Sequence, residues 1–204
     1  MSLKPKLSYF NYRGSAEPIR YLLAYGNIEY EDCRFADEEF PKLKPTFPYG
    51  QVPVLEIKGK MIPQTLAICR YLAKQSGLYG KDDFEAMQID AVADAIIDLR
   101  NAVWLAYWIT PEDERAPLVE KLTKETLPFY LSRFEKAIRE NNGYFVNGNI
   151  SYADIVLAGQ LESLSDSTKY DITDGYPLIK ALVKKVENLP RIKAWIEKRP
   201  KTDG

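Results

Sequence analysis

The spacing of apolar residues changes character near residue 80, and the change predicts two kinds of structure in succession. Before it, short apolar runs bounded by Gly and Pro alternate with one-faced helical patterns, the signature of mixed α/β structure. Residues 6–10 read as a strand, Ser15-Ala16-Glu17-Pro18 as the N-cap and first turn of a helix reaching about Tyr25, and Gly26 as its stop. Residues 28–35 read as a second strand, after which Pro41, Pro45, Pro48 and Pro53 punctuate an irregular stretch. Residues 52–57 and 60–62 flank Lys58-Gly59 as an antiparallel hairpin, with glycine where the turn needs positive φ. A helix over 65–74 runs into the turn-rich segment 76–83.

From Phe84 onward no strand is predicted. Ile89, Val92, Ile96, Leu99 and Val103 form the apolar stripe of a long helix, and Leu118, Leu122, Leu127, Tyr130, Phe134 and Ile138 predict a second over 111–139, so the two pack face to face. Ser151-Tyr152-Ala153-Asp154 fits a capping box, with Ile150 and Ile155 in the staple positions. Segments 177–186 and 190–198 complete the helices. The fold class is α/β plus all-α, with domains over 1–80 and 84–204.

Composition narrows the chemistry. The 204 residues, 46% of them apolar, can fill a real core, and a net charge of -1 gives no basic excess for nucleic acid or an anionic membrane surface. There is no histidine, which removes Ser-His-Asp and Cys-His catalysis and imidazole metal sites together. Cys33 and Cys69 form neither a CxxC nor a disulfide framework, so no metal is expected. Without a visible secretory signal or an apolar run near the roughly 18 residues of a membrane span, the expected compartment is the cytoplasm.

The segments that carry identity are Leu7-Ser8-Tyr9-Phe10 with Arg13-Gly14-Ser15-Ala16-Glu17-Pro18-Ile19-Arg20, then Phe47-Pro48-Tyr49-Gly50-Gln51-Val52-Pro53-Val54, then Gln64-Thr65-Leu66-Ala67-Ile68-Cys69-Arg70-Tyr71, then Ser151-Tyr152-Ala153-Asp154. In this order and spacing they resemble the cytosolic glutathione transferases along essentially the whole chain. The first helix and the ending Lys198-Arg199-Pro200-Lys201-Thr202 look most like the sigma class, which includes haematopoietic prostaglandin D synthase and many invertebrate enzymes. The resemblance implies a thioredoxin-like domain followed by a helical one, with glutathione as co-substrate.

Glutathione brings its own nucleophile, but a thiol with an unperturbed pKa of roughly 8.5 is mostly protonated at neutral pH. By the resemblance, the Tyr9 hydroxyl donates to the thiolate, aided by the start of the first helix, although an aromatic strand residue packing on a sheet is the ordinary alternative. Arg13 either adds its charge there or is structural. Pro53 matches the family's cis-proline, which turns the Val52 backbone toward the cysteinyl unit, and Gln64 and Thr65 open a helix where free amides suit the γ-glutamyl carboxylate. Thr65 stands where serine is usual. Phe40 replaces a Trp at the glycyl end, Lys44 still faces the glycyl carboxylate, and Gln51 is either a neutral donor or a loop side chain.

The electrophile belongs between the domains, where Phe10, Trp104, Leu105 and Trp108 either line an apolar pocket or fill the core. Asp90, Asp94 and Asp98 stand four apart on one helix face, where like charges repel. For Asp90 an exposed acidic stripe is the simpler expectation. For Asp98 the resemblance implies a homodimer in which it meets the γ-glutamyl ammonium bound by the partner, with Tyr49 packing into that subunit or remaining a loop aromatic. Ser15 stands where the prostaglandin synthase has Arg. The expected activity is conjugation of glutathione to small hydrophobic electrophiles, with reduction of organic hydroperoxides as a further possibility. The alternatives are a prostaglandin-type isomerase or a non-catalytic, crystallin-like relative.

Overall fold

The computed structural model describes residues 4–202. Its first part is β1 (Lys6–Phe10), α1 (Glu17–Tyr25), β2 (Glu31–Phe35), a one-turn α2 (Phe40–Leu43), β3 (Val54–Ile57), β4 (Lys60–Pro63) and α3 (Thr65–Gln75). The sheet runs β2-β1-β3-β4, with β1 parallel to β2 and antiparallel to β3, the thioredoxin-like arrangement. Helices follow: α4 (Asp83–Trp104), α5 (Arg115–Lys121), α6 (Leu127–Glu140), α7 (Tyr152–Thr168), α8 (Pro177–Glu187) and α9 (Pro190–Lys198). Among the described residues no helix is long and apolar enough to cross a membrane.

Several boundaries moved for identifiable reasons. Ser15 is not the N-cap of α1, because a 3-10 turn over Gly14–Ala16 precedes the helix and the Ser15 amide is bound outside it. The second strand loses residues 28–30: the Ile28 N–H donates to Leu23 O (2.9 Å) and belongs to the exit of α1. The helix expected over 111–139 is divided into α5 and α6 by a π turn at Leu122–Thr126. Pro128 has no N–H for the carbonyl four residues back, and a wider turn accommodates the missing bond. α4 likewise ends in a π turn, Leu105–Ile109.

The hydrophobic core is one cluster running from Leu7, Ile19 and Leu22 through Ile96 and Leu99 to Val156 and Leu157. Its centre is α7, all of whose residues over 152–161 are buried. Asp154 caps α7 as predicted, accepting from the Ser151 N–H (2.7 Å) and hydroxyl (2.8 Å), and it also takes the Phe145 N–H (3.0 Å). Burial raises its pKa while those bonds act the other way.

The acids of α4 do not form one exposed stripe. Asp90 accepts from Arg70 Nε (2.9 Å), from the Tyr79 hydroxyl (2.8 Å) and from the Tyr152 hydroxyl, so it ties α3 and α4 to α7. Asp94 takes Arg70 Nη2 (2.9 Å). A basic side chain twenty residues away in sequence offsets the repulsion that the spacing alone implies.

Candidate functional site

β1 delivers Tyr9 to the head of α1, and the intervening turn folds back over its ring. The Ser15 N–H donates to the Tyr9 hydroxyl oxygen (3.1 Å), and among the described residues the phenolic proton has no acceptor. Tyr9 is 7% exposed, so its ring is packed as an aromatic strand residue should be, while its polar end lies at the turn. The packed ring fits the aromatic strand residue expected there, and the hydroxyl faces the turn.

Arg20 holds the turn from beneath. Its buried guanidinium donates to Tyr12 O (2.8 Å) and pairs with Glu17 (3.0 Å) and Asp32 (3.1 Å). Arg13 extends away from Tyr9 toward α7, where it pairs with Asp166 and Glu162 (3.6 Å) and donates to Thr202 O (3.0 Å). Its charge is therefore shared with two carboxylates, and its visible work is to fasten the turn and the C-terminal segment to α7.

The head of α3 lies beside the same turn. The Thr65 hydroxyl donates to Ser15 O (3.2 Å), so one residue of the turn touches both Tyr9 and Thr65. Gln64 has φ 77°, a left-handed conformation that a side chain adopts at a cost, and its side chain does not cap α3. The first turn of α3 therefore begins without a side-chain cap from Gln64. Gln64 Nε2 donates to Gln51 Oε1 (3.4 Å), bringing two predicted residues together, and the peptide Val52-Pro53 is cis.

The remaining predicted residues form an outer arc. Phe40 stacks on Phe35 with rings 3° apart and meets Phe10 edge-on at 4.9 Å. Lys44 packs across Gly50, where an added Cβ would stand 3.2 Å from its side chain, and among the described residues it has no ion pair. Tyr49, at φ 56°, is 83% exposed at the loop tip.

At the end of α4, Trp104, Leu105 and Trp108 are exposed and so are not core residues. Trp108 Nε1 donates to Ser167 Oγ (3.1 Å), and the Arg100 guanidinium lies over the Trp104 ring at 5.1 Å. Arg100 was not singled out in the sequence, where one basic residue in a long helix looks ordinary. Burial lowers its pKa while Tyr9 acts the other way; Arg100 donates to Asn101 Oδ1 (3.1 Å), and among the described residues it has no ion pair. Asp98, one turn before Ala102 on α4, is exposed and makes no hydrogen bond or ion pair among the described residues.

The geometry has close parallels. Residues 5–74 match the family model described as Glutathione S-transferase, N-terminal domain, and residues 97–199 match Glutathione S-transferase, C-terminal domain. The chain is 43% identical to Glutathione S-transferase S1 of Drosophila melanogaster over 97% of this chain and 79% of that one. The solved prostaglandin synthase D of Nilaparvata lugens superposes with TM-score 0.94 at 45% identity, covering 98% of this chain and 100% of the other. Monomeric Na-GST-3 of the hookworm Necator americanus superposes with TM-score 0.85 at 35% identity over 98% and 99%. With both family domains matched in order and identity above 40% along nearly the whole length, the chain belongs to the glutathione S-transferase family.

Proposed function

We propose that this chain is a glutathione transferase that holds the glutathione sulfur as thiolate against Tyr9 and transfers it to small hydrophobic electrophiles. The observation that carries this is the hydroxyl of Tyr9, which accepts from the Ser15 amide and keeps its own proton for a sulfur placed beside it. Donation to the charged form lowers the thiol pKa. In substitution the sulfur lone pair forms the new C–S bond as the leaving group departs with its electrons, and the thiol proton goes to solvent; in conjugate addition that proton returns to carbon.

The substrate would lie along the edge of the first domain, residues 1–80. The γ-glutamyl carboxylate takes the free amides of α3 with Gln64 and Thr65, the cysteinyl unit takes the Val52 backbone beside Pro53, and the glycyl carboxylate takes Lys44 with Gln51 and the Phe40 face. The second domain, 84–204, supplies the electrophile pocket around Phe10, Trp104, Leu105 and Trp108. Arg13 supports the turn, and Arg100 adds positive charge. Asp98, unpaired in this chain, would meet the γ-glutamyl ammonium held by the partner of a homodimer, with Tyr49 seated in that subunit. The free thiols Cys33 and Cys69 suit the reducing cytoplasm.

A glutathione-dependent prostaglandin isomerase is the second reading, favoured by the similarity to the Nilaparvata lugens structure. Titration of glutathione followed by turnover of an aryl halide, an unsaturated aldehyde, a lipid hydroperoxide and a prostaglandin endoperoxide separates the two. Conjugation of the aryl halide with weak endoperoxide turnover is expected; binding without turnover of any of them would leave only the crystallin-like alternative.

A further inference from the structure

The turn that brings the Ser15 amide to Tyr9 is not held by the thioredoxin-like part alone. α7 reaches across it: the Gly14 N–H donates to Ser163 Oγ (3.1 Å), and Gln160 Nε2 donates to Gly14 O (3.3 Å). The Gly14 carbonyl and the Ser15 N–H belong to one planar peptide group. The plane whose N–H end bonds Tyr9 is therefore held at its carbonyl end by Gln160, and a rotation that frees one bond strains the other. Gly14 has φ +40°, and a Cβ there would stand 2.7 Å from the Tyr9 hydroxyl, so this peptide lies directly on the phenol.

The register of α7 makes the clamp possible. A Cβ on Gly159 would come within 2.8 Å of Pro18 Cα and N, so the backbones of α7 and α1 touch there, and the next residue is Gln160. Gln160 is 1% exposed within an otherwise apolar buried run over 155–161. A buried amide is costly unless it is bonded, and this one donates to the Gly14 carbonyl. Ser163 follows on the same face, and four residues later Ser167 accepts from Trp108. One face of α7 thus runs from the thiol turn to the apolar rim of α4.

We infer that Gln160 and Ser163 are positioning residues for thiol activation, fixing the Gly14-Ser15 peptide so that its N–H polarises the Tyr9 hydroxyl. Hydrogen bonds in a chain strengthen one another, so an oxygen that accepts from Ser15 becomes a better donor to sulfur. The clamp rests on the role given to Tyr9.

The test is the titration of the glutathione thiol bound to the full chain, followed by the ultraviolet absorbance of the thiolate and by the pH profile of turnover with an aryl halide. In Gln160→Leu and in Ser163→Ala the thiol pKa should rise by about half a unit, an about threefold loss of thiolate on the acid side, with glutathione affinity within about twofold of the parent. Ser163→Thr, which keeps the hydroxyl, should titrate like the parent. Tyr9→Phe serves as the control. If it shifts the titration while Gln160→Leu and Ser163→Ala do not, even with a lowered Tm, the positioning role is overturned and the role of Tyr9 stands. If Tyr9→Phe also titrates like the parent, both fall. Should Gln160→Leu fail to fold, Ser163→Ala, which deletes a single oxygen, decides alone.

Discussion

The turn over residues 13–15 and the outer end of α4 are both tied to α7 and are built in opposite ways. In the turn, Gly14 N–H and O, Ser15 N–H and O, and Arg13 O all have partners within the chain. At the end of α4, Trp104, Leu105, Trp108 and Ile109 expose apolar surface, and among the described residues Asp98 makes no hydrogen bond or ion pair. The first arrangement is preorganised for one proton geometry, which is where a fixed dipole is worth most in catalysis. The second bonds its polar edges, as Trp108 does to Ser167, but leaves its apolar faces uncovered. In the proposed function the rigid part lies under the sulfur and the adaptable part under the electrophile.

Breaking the rigid side should have the largest effect. Tyr9→Phe removes one donor aimed at the thiolate, and turnover should fall roughly 10- to 100-fold while glutathione affinity changes only a few-fold. Steady-state kinetics at a pH well below the free thiol pKa check this; parental turnover would remove Tyr9 from the chemistry.

Asp98→Asn probes whether the unpartnered acid of α4 waits for a ligand held by a second copy. Binding of glutathione should weaken by about 1 to 3 kcal/mol if the pair is shielded, with the proposed dimer seen by sedimentation in parent and variant alike. A fully active monomer, or unchanged binding, would show that the open side of α4 faces nothing.

Asp90 is the internal control on the same helix, already closed by Arg70, Tyr79 and Tyr152. Asp90→Asn should cost about 1 to 2 kcal/mol of stability with little change in catalysis. Burial pushes the Asp90 carboxyl up, but its bonds to Tyr152, Arg70 and Tyr79 outweigh it and hold the pKa below the ordinary 3.8. A depressed acid stabilises fully above its unfolded value, so this contribution is present above 3.8 and is lost as the pH falls below it. Denaturation of parent and Asp90→Asn across that range should converge in acid; parallel curves would detach the effect from the carboxylate.

The smallest effect is expected at the adaptable rim. Trp104→Ala should raise KM for a hydrophobic electrophile by about threefold to tenfold and leave the glutathione titration alone, since an exposed ring contributes part of its transfer energy. An equal loss with every electrophile, or a change in thiol pKa through Arg100, would mean the two sides of the site are less separate than their hydrogen bonds imply.

The sequence alone determined what local chemistry can settle. The strand over 6–10, the hairpin at Lys58-Gly59, the apolar stripe of α4 and the Ser151–Asp154 cap each follow from period, turn residues or a short-range side-chain bond. The ordered motifs around Tyr9, Pro53 and Gln64 supplied the family and the candidate residues. Tertiary structure decided the rest, because it concerns partners far apart in the chain. Asp90 changed from a surface acid to a junction when Arg70, Tyr79 and Tyr152 converged on it, and Arg13 was drawn to Asp166 and Glu162. Gln160 left one legible trace, an amide inside an apolar run, but which carbonyl it would meet depends on α7 touching α1 at Gly159 and Pro18. Periodicity says which face of a helix turns inward; only packing says what that face will find.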